Sequence, residues 1–260
     1  MKPRLLYRVE SCTACGRCVE VCPKGAIMIR DGIAHTDRSA CIACGTCVAS
    51  CAGKARSIAG KFMSPREVYD EVASDRMFYE SSGGGVTLSG GEVLSQPGFA
   101  SDVLRLCKDN GIHTVIETSG YANWSVVKHV AESADLVLYD IKHMDTIAHM
   151  DGTGVPNDRI LSNVRAIRRE LGKPVTIRIP LIPGFNDSEK NLRATAAFVA
   201  GELGTDTSVE LLPYHRLGEG KRVQLEEDKA GFTAVPPDEL VMEKAKDIFI
   251  SNGLAAKIGG

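Results

Sequence analysis

The sequence has no excess of either charge, because 31 Lys and Arg residues are balanced by 33 Asp and Glu residues over 260 positions. No basic stripe or polybasic tract is present, which excludes the usual signatures of nucleic-acid binding and of attachment to an anionic membrane. No apolar run approaches the roughly 20 residues that cross a bilayer, and the first residues lack the apolar stretch of a secretory signal. We therefore expect a cytoplasmic protein with neither nucleic-acid nor membrane partners.

Aromatic residues are also scarce, at 5% of the chain, yet hydrophobic residues make up 43%. That fraction is enough for a well-packed core, and the length suits one barrel-sized domain or two smaller ones.

Cysteine, by contrast, is abundant and concentrated, since eight of the nine cysteines fall between Cys12 and Cys51. In an exported chain such a density would suggest disulfides, but the spacing here is tight and regular, which favours a metal or a cluster. Each half of the segment reads C-x2-C-x2-C-x3-C, and the second half repeats the first after 29 positions. The repeat predicts an internal duplication with two sets of thiolate ligands: Cys12, Cys15, Cys18 and Cys22, then Cys41, Cys44, Cys47 and Cys51.

This spacing is typical of two-cluster bacterial ferredoxins, in which the fourth cysteine of each run ligates the other cluster. It predicts two [4Fe–4S] clusters, one on Cys12, Cys15, Cys18 and Cys51, the other on Cys41, Cys44, Cys47 and Cys22. The alternative is zinc, which prefers two ligand pairs separated by a longer spacer. We expect a small ferredoxin-like domain over residues 1–62 and a second domain over residues 63–260.

Beyond residue 62 the pattern alternates between apolar β-branched strands and amphipathic helices, which indicates a parallel sheet covered by helices. We expect a helix from Ser64 to Tyr79, with Ser64 as N-cap and Pro65 in the first turn. Five strands separated by helices follow, and then a last helix over about residues 237–252. The strands end in polar or special residues: "SGGE", "ETSG", "DIKH", "RIPLIPG" and "LPYH". Because the carboxyl ends of parallel strands meet on one rim, we expect a site there.

Two of these motifs have simpler interpretations when each is taken alone. "SSGGG" resembles a phosphate-binding loop, but the G-K-[ST] ending of such loops is missing. Asp140 and Lys142 share one face of their strand, where they could form a surface ion pair. Five polar strand ends on one rim favour a functional site over either interpretation.

Together, the segments "SGGGVTLSGGEVLSQPGFA", "GIHTVIETSGYANW", "DLVLYDIKHMD", "IRIPLIPGFNDSE" and "ELLPYHRLG" resemble the activating enzymes of glycyl-radical enzymes. These form the pyruvate formate-lyase-activating branch of the radical S-adenosylmethionine superfamily, of which a subset carries a two-cluster ferredoxin insert. The resemblance implies an α/β fold that contains a partial (βα) barrel. It also implies S-adenosylmethionine as cofactor, a 5′-deoxyadenosyl radical, a glycyl-radical enzyme as protein substrate, and an electron donor such as flavodoxin or ferredoxin.

The resemblance also assigns roles to residues by motif. Lys142 and Arg178 would meet the carboxylate and sulfonium end of the cofactor, and His215 its ribose or adenine. Asp140 is carried over with Lys142 and Arg178 as a catalytic position. The remaining cofactor-binding positions are the turn that meets the methionine amino group and two polar residues beside it: Ser89, Gly90, Gly91 and Glu92, then Glu117 and Thr118.

One part of the family pattern is missing from the sequence. The catalytic cluster of the family is held by C-x3-C-x2-C after the first barrel strand, and no cysteines here have that spacing: after the C-x3-C pairs, Gly25 and Lys54 occupy the third position. The resemblance therefore predicts that the first βα unit and a third, catalytic [4Fe–4S] cluster are absent from this chain. An alternative function is an iron–sulfur electron-transfer or scaffold protein without radical chemistry.

Overall fold

The computed structural model describes residues 3–216, Gln224 and residues 234–259. The chain divides into two compact units, which are treated separately below. One comprises Met1–Phe62 and His215–Thr233, and the other comprises Met63–Tyr214 and Ala234–Gly260. Within the part of the chain described, no helix is both long and apolar enough to span a membrane.

Among its described residues, the first unit contains two antiparallel strand pairs and two short α-helices. β1 pairs with β4, and β2 pairs with β3. In chain order the elements are β1 (Arg4–Tyr7), α1 (Arg17–Glu20), β2 (Ile27–Arg30), β3 (Ile33–Thr36), α2 (Thr46–Ala49) and β4 (Arg56–Ala59).

The cysteine repeat has the same backbone course in both halves. Helices α1 and α2 each follow a left-handed glycine, Gly16 at φ 79° and Gly45 at φ 83°. Two residues earlier, Ala14 and Ala43 adopt φ 52° and 51°, a conformation that non-glycine residues rarely take. Left-handed alanines at equivalent positions bend both loops in the same way, as two loops around similar groups require.

The second unit contains a six-stranded parallel sheet in the order β10-β9-β8-β7-β6-β5, so that every strand lies beside its neighbour in sequence. Five of these strands match the sequence prediction, and the short β10 was not predicted. The strands are β5 (Gly85–Leu88), β6 (His113–Thr118), β7 (Leu136–Asp140), β8 (Val175–Leu181), β9 (Ser208–Pro213) and β10 (Ala256–Ile258).

The helices of this unit largely follow the predicted periodicity. Their bounds are α3 (Pro65–Ala73), α4 (Arg76–Ser82), α5 (Pro97–Asp109), α6 (Trp124–Ala131), α7 (Thr146–Thr153), α8 (Asp158–Glu170), α9 (Glu189–Phe198) and α10 (Glu239–Ser251). Ser64 caps α3 through a reciprocal capping box with Glu67, with Pro65 in the first turn, as the sequence predicts. The single helix expected up to Tyr79 is instead two helices, α3 and α4. Helix α7 was not predicted.

The main core lies on the face of the sheet that the helices cover. In β8 the alternate residues Val175, Ile177, Ile179 and Leu181 are buried, whereas the intervening residues are only partly covered. The same alternation in β6 and β7 directs Glu117 and Asp140 to the second face. Polar side chains near the strand ends therefore lie on the face of the sheet opposite the main core.

Candidate functional site

A cavity of about 370 Å³ opens at the carboxyl ends of β5, β6 and β7. Its volume lies within the range of small-molecule sites. Eight of the residues singled out in the sequence line it: Ser89, Gly90, Gly91, Glu92, Glu117, Thr118, Asp140 and Lys142. Three separate stretches of the chain thus converge on one cavity.

Two other sequence-predicted residues do not line this cavity. Arg178 lies between two carboxylates, with Nη1 2.7 Å from Glu117 Oε1 and Nε 3.2 Å from Glu210 Oε2. Glu117 also accepts a hydrogen bond from Ser89 Oγ at 2.7 Å, so Arg178 is linked to the cavity wall through one side chain. His215 is exposed, follows the end of β9 by two residues, and belongs to the other compact unit.

Glu92 connects the loop after β5 to the end of β6. Its Oε1 accepts hydrogen bonds from Thr118 Oγ1 at 2.6 Å and from Leu94 N at 3.1 Å. Its Oε2 accepts from Ser119 Oγ at 2.6 Å and Ser119 N at 3.0 Å. With four donors on one carboxylate, Glu92 fixes the shape of the Ser89–Glu92 turn.

The loops after β7 and β8 are held together by a fully buried amide. Asn186 donates from Nδ2 to the carbonyl oxygens of Lys142 and Pro180, each at 2.8 Å, and accepts from Ile182 N at 2.8 Å. Lys142 in turn donates from Nζ to Asp140 Oδ2 at 2.7 Å. The ammonium and the carboxylate are therefore fixed side by side at the cavity wall.

The loop after β6 passes close to Tyr139. Gly120 has φ 68°, and a Cβ at this position would overlap the Tyr139 ring. Tyr139 donates from its hydroxyl to the carbonyl oxygen of Ile160 at 2.7 Å. Burial, together with the charges of Glu92 and Asp140, raises the pKa of Tyr139 well above its usual value, which keeps this hydroxyl a donor.

His149 is a cavity residue that sequence reasoning missed, because helix α7 was not predicted. Its side chain is buried and lines the cavity. Nδ1 lies 2.7 Å from the Val155 carbonyl oxygen. Burial lowers the pKa of His149, and the positive charges of Lys142 and His143 lower it further, outweighing the Val155 hydrogen bond. A neutral ring that donates from Nδ1 has Nε2 as a hydrogen-bond acceptor.

The eight clustered cysteines line two separate cavities in the first unit. One cavity is lined by Cys12, Cys15, Cys18 and Cys51. The other is lined by Cys22, Cys41, Cys44 and Cys47. The structure therefore groups the thiols as the ferredoxin spacing predicts, with the last cysteine of each run beside the first three of the other.

The chemistry of these cavities fits iron–sulfur clusters. All eight thiols are free, and within the described residues no three His, Cys, Asp or Glu side chains converge as the ligands of one metal ion do. Four thiolates around one cavity are the donor set of a [4Fe–4S] cluster. Burial raises the pKa of Cys12, but hydrogen bonding by Tyr7 and by the backbone of Ala14 and Ala34, with a smaller effect of the Arg56 charge, outweighs it, so the pKa is lowered. That environment favours a thiolate ligand.

Comparison with protein families gives two matches. Residues 41–196 match the radical SAM superfamily, and residues 4–52 match the 4Fe–4S dicluster domain. Together with the parallel sheet and the rim cavity, these define the class as a radical S-adenosylmethionine protein with two ferredoxin-type clusters.

Curated relatives give a more specific assignment than the two family models do. The chain is 43% identical over 258 residues to the trans-4-hydroxy-L-proline dehydratase activating enzyme of Clostridioides difficile, covering 99% of this chain and 85% of that protein. It is 44% identical to the choline trimethylamine-lyase activating enzyme of Oleidesulfovibrio alaskensis, covering 85% and 73%, and 39% identical to the benzylsuccinate synthase activating enzyme of Thauera aromatica, covering 96% and 78%. The chain belongs to the family of glycyl-radical enzyme activating enzymes.

Solved structures agree with this assignment. A domain of a pyruvate-formate lyase-activating enzyme from Bacteroides vulgatus superposes with a TM-score of 0.57 at 38% identity, covering 68% of this chain and 99% of that one. A radical SAM methyltransferase from Sphaerobacter thermophilus, at 18% identity and a TM-score of 0.56 over 84% of this chain and 62% of that one, shares the fold.

The residues of this chain do not fit a third cluster. No C-x3-C-x2-C triplet occurs in the 260 residues. The ninth cysteine, Cys107, is buried in α5 against Tyr69, Val103 and Ile112. The cysteines of these 260 residues therefore offer no ligand set for a catalytic cluster.

Proposed function

We propose that the rim cavity binds S-adenosylmethionine and that the chain serves the activation of a glycyl-radical enzyme through it. The observation that carries the proposal is the convergence of the "SGGE", "ETSG" and "DIK" strand ends on one cavity. In this family, bound S-adenosylmethionine would supply, on reduction by one electron, the radical chemistry that removes a hydrogen atom from a glycine of the partner. The residues of this cavity would bind and orient the cofactor.

The charges at the cavity wall suit the methionine end of the cofactor. Its carboxylate requires a cation, and Lys142 offers one that is 29% exposed. Its ammonium group requires hydrogen-bond acceptors and its sulfonium group requires nearby negative charge, and Asp140 and Glu117 offer carboxylates at the same wall. Arg178 supports this wall by holding Glu117, and His149 adds a neutral acceptor on the side of α7.

The Gly90–Gly91 turn contributes space and backbone rather than side chains. Gly90 has φ 118°, and a Cβ there would meet no neighbour within 4 Å. Because Glu92 fixes the turn through four hydrogen bonds, the backbone can present its polar groups to a ligand without rearranging. Binding to a preformed turn costs less ordering entropy than binding to a mobile one.

For the partners, we propose a glycyl-radical enzyme as protein substrate and a flavodoxin or ferredoxin as electron donor. Relatives of nearly equal identity are named for a dehydratase, a choline lyase and isethionate lyases, so similarity alone does not select among such enzymes. We place the protein in the cytoplasm because its cluster ligands must remain reduced thiols, and the cytosol keeps thiols reduced. The scaffold alternative is not favoured by these relatives.

Calorimetric titration of the cluster-loaded chain with S-adenosylmethionine tests the binding proposal. We expect saturable binding, weakened at least about tenfold in Lys142→Ala because a charged hydrogen bond contributes roughly 1.5–3 kcal/mol. Lys128→Ala is the matched control, since Lys128 is exposed on α6 and does not line the cavity. Equal affinities in wild type and Lys142→Ala, or no binding at all, would refute it.

The partner is tested separately by electron paramagnetic resonance. The chain is mixed with S-adenosylmethionine, a one-electron reductant and one purified glycyl-radical enzyme at a time. A glycyl-radical doublet on one of them identifies the partner. If none forms although S-adenosylmethionine binds, the cofactor site stands and the activating role of these 260 residues alone is rejected.

A further inference from the structure

Arg56 is a buried cation in the first unit. Only 3% of the residue is exposed. Its Nη1 donates to Thr36 Oγ1 at 2.9 Å, and its guanidinium carbon lies 4.8 Å from the centroid of the Tyr7 ring. Its Nη2 is buried and has no hydrogen-bond partner among the described residues.

A guanidinium in that position requires an anion. Burying a charge without a counter-charge is strongly unfavourable, and none of the ion pairs between described residues involves Arg56. Arg56 lines the cavity of Cys12, Cys15, Cys18 and Cys51. A cluster held by four thiolates carries net negative charge, so it would supply the missing counter-charge.

The internal repeat provides a comparison within the same chain. Position 27 in the first half corresponds to position 56 in the second, 29 residues later, and it is Ile27. Ile27 is buried and lines the cavity of Cys22, Cys41, Cys44 and Cys47. At equivalent positions, one cluster cavity therefore has an isoleucine and the other an arginine.

Exposed cations near the two cavities do not cancel this difference in buried charge. Arg17 lines the cavity beside Arg56, and Lys24 lines the other. Both are solvent-exposed, so water and salt screen their charges to a similar extent. Arg56, in a low-dielectric interior, acts with far less screening.

We propose that Arg56 raises the reduction potential of the cluster on Cys12, Cys15, Cys18 and Cys51 above that of the cluster on Cys22, Cys41, Cys44 and Cys47. When a cluster accepts one electron from a donor, its net charge becomes one unit more negative and the donor is oxidised by one electron. A fixed neighbouring cation stabilises the reduced form, and net charge and hydrogen bonds to sulfur set such potentials. An electron that enters the first unit therefore occupies mainly the cluster on Cys12, Cys15, Cys18 and Cys51.

The field of Arg56 is not confined to one cavity. It also reaches the neighbouring cluster, because charge interactions in a low-dielectric interior extend beyond direct contact. Removing the charge therefore lowers both potentials. The decrease is larger for the cluster whose cavity Arg56 lines.

The test is a redox titration of the reconstituted chain, followed by electron paramagnetic resonance. Arg56→Ile gives both halves of the repeat an isoleucine at this position. Arg56→Gln replaces the charged side chain with a neutral polar one, and Arg56→Lys keeps the positive charge. Arg17→Ala is the control for a nearby exposed cation. Two serine variants assign each midpoint to its cluster, because each change shifts the midpoint of its own cluster. They are Cys15→Ser and Cys44→Ser, at equivalent exposed positions of the two sets.

In wild type we expect the higher midpoint on the Cys15 cluster. In Arg56→Ile and Arg56→Gln the equilibrium constant for electron exchange between the clusters should shift at least tenfold toward the Cys44 cluster, which is about 59 mV for a one-electron couple. Arg56→Lys and Arg17→Ala should shift it much less. The proposal is overturned if the Cys44 cluster has the higher midpoint in wild type, or if neither neutral variant changes the gap. It does not depend on whether the rim binds S-adenosylmethionine.

Discussion

Arg178 and Glu210 lie directly opposite each other across β8 and β9, with Arg178 Nε 3.2 Å from Glu210 Oε2. They are the two central members of a row of four residues that lie opposite one another on adjacent strands, with charges that alternate in sign. Asp140 on β7 is opposite Arg178, and Lys257 on β10 is opposite Glu210. The row runs across four adjacent strands beside the rim cavity, so the electrostatic environment of the site extends well beyond its lining.

The first prediction concerns this row. Glu210→Gln should lower the free energy of unfolding by about 1–3 kcal/mol, because it removes the counter-charge from Arg178 Nε, where both side chains are largely buried. Anaerobic denaturant titration of the cluster-loaded protein measures this change.

Lys257→Gln is the matched control for that change. Lys257 also contacts Glu210, at 3.1 Å, but its side chain is 63% exposed, and exposed ion pairs contribute roughly 0–1 kcal/mol. Losses of equal size in Glu210→Gln and Lys257→Gln would show that burial of the Arg178 pair is not what stabilises the row.

The second prediction concerns the loop after β6. Gly120→Ala should destabilise the protein by more than the roughly 1–2 kcal/mol that a left-handed conformation costs a non-glycine residue, because its Cβ would also overlap Tyr139. Gly154→Ala separates the two effects, since Gly154 has φ 82° and no atom within 4 Å of an added Cβ. Comparable thermal shifts in the two variants would argue against close packing of the loop on Tyr139.

The third prediction is a pH dependence from His149, whose pKa lies below the ordinary value of 6.5 because the ring is buried. The unfolded chain then takes up a proton at higher pH than the folded one. The stabilisation is fully present above about pH 6.5 and is lost as the pH falls through the lower, folded pKa. The melting temperature of wild type should therefore fall relative to His149→Gln between pH 7 and about pH 5. His129→Gln, at an exposed position on α6, should show no such trend relative to wild type, and a parallel response of the His149 and His129 variants would contradict the assignment.

Much of the fold follows from local sequence patterns. The Ser64 capping box, the alternation in β8 and the polar strand ends are each encoded within a few residues, so the sequence predicts the parallel strands and the rim cavity. The cysteine spacing predicts which thiols share a cavity, because each run is too short to adopt many arrangements.

The remaining features depend on contacts between distant segments. Glu210 joins the charge row only because β9 pairs with β8 in one register, and nothing near Glu210 in sequence indicates that pairing. The short β10 and helix α7 carry little periodic signal. Arg178 is predicted at the cofactor from its motif, but its contacts with Glu117 and Glu210 come from two other strands, and nothing near it in sequence indicates them.

The most direct test of the account is iron and sulfide analysis of the anaerobically reconstituted chain. Two cubanes on the eight cysteines predict about eight irons and about eight sulfides per chain. Cys107 should contribute no site because it is buried in an apolar cluster. Zinc in place of iron, disulfides between these cysteines, or a value near twelve irons would contradict the account.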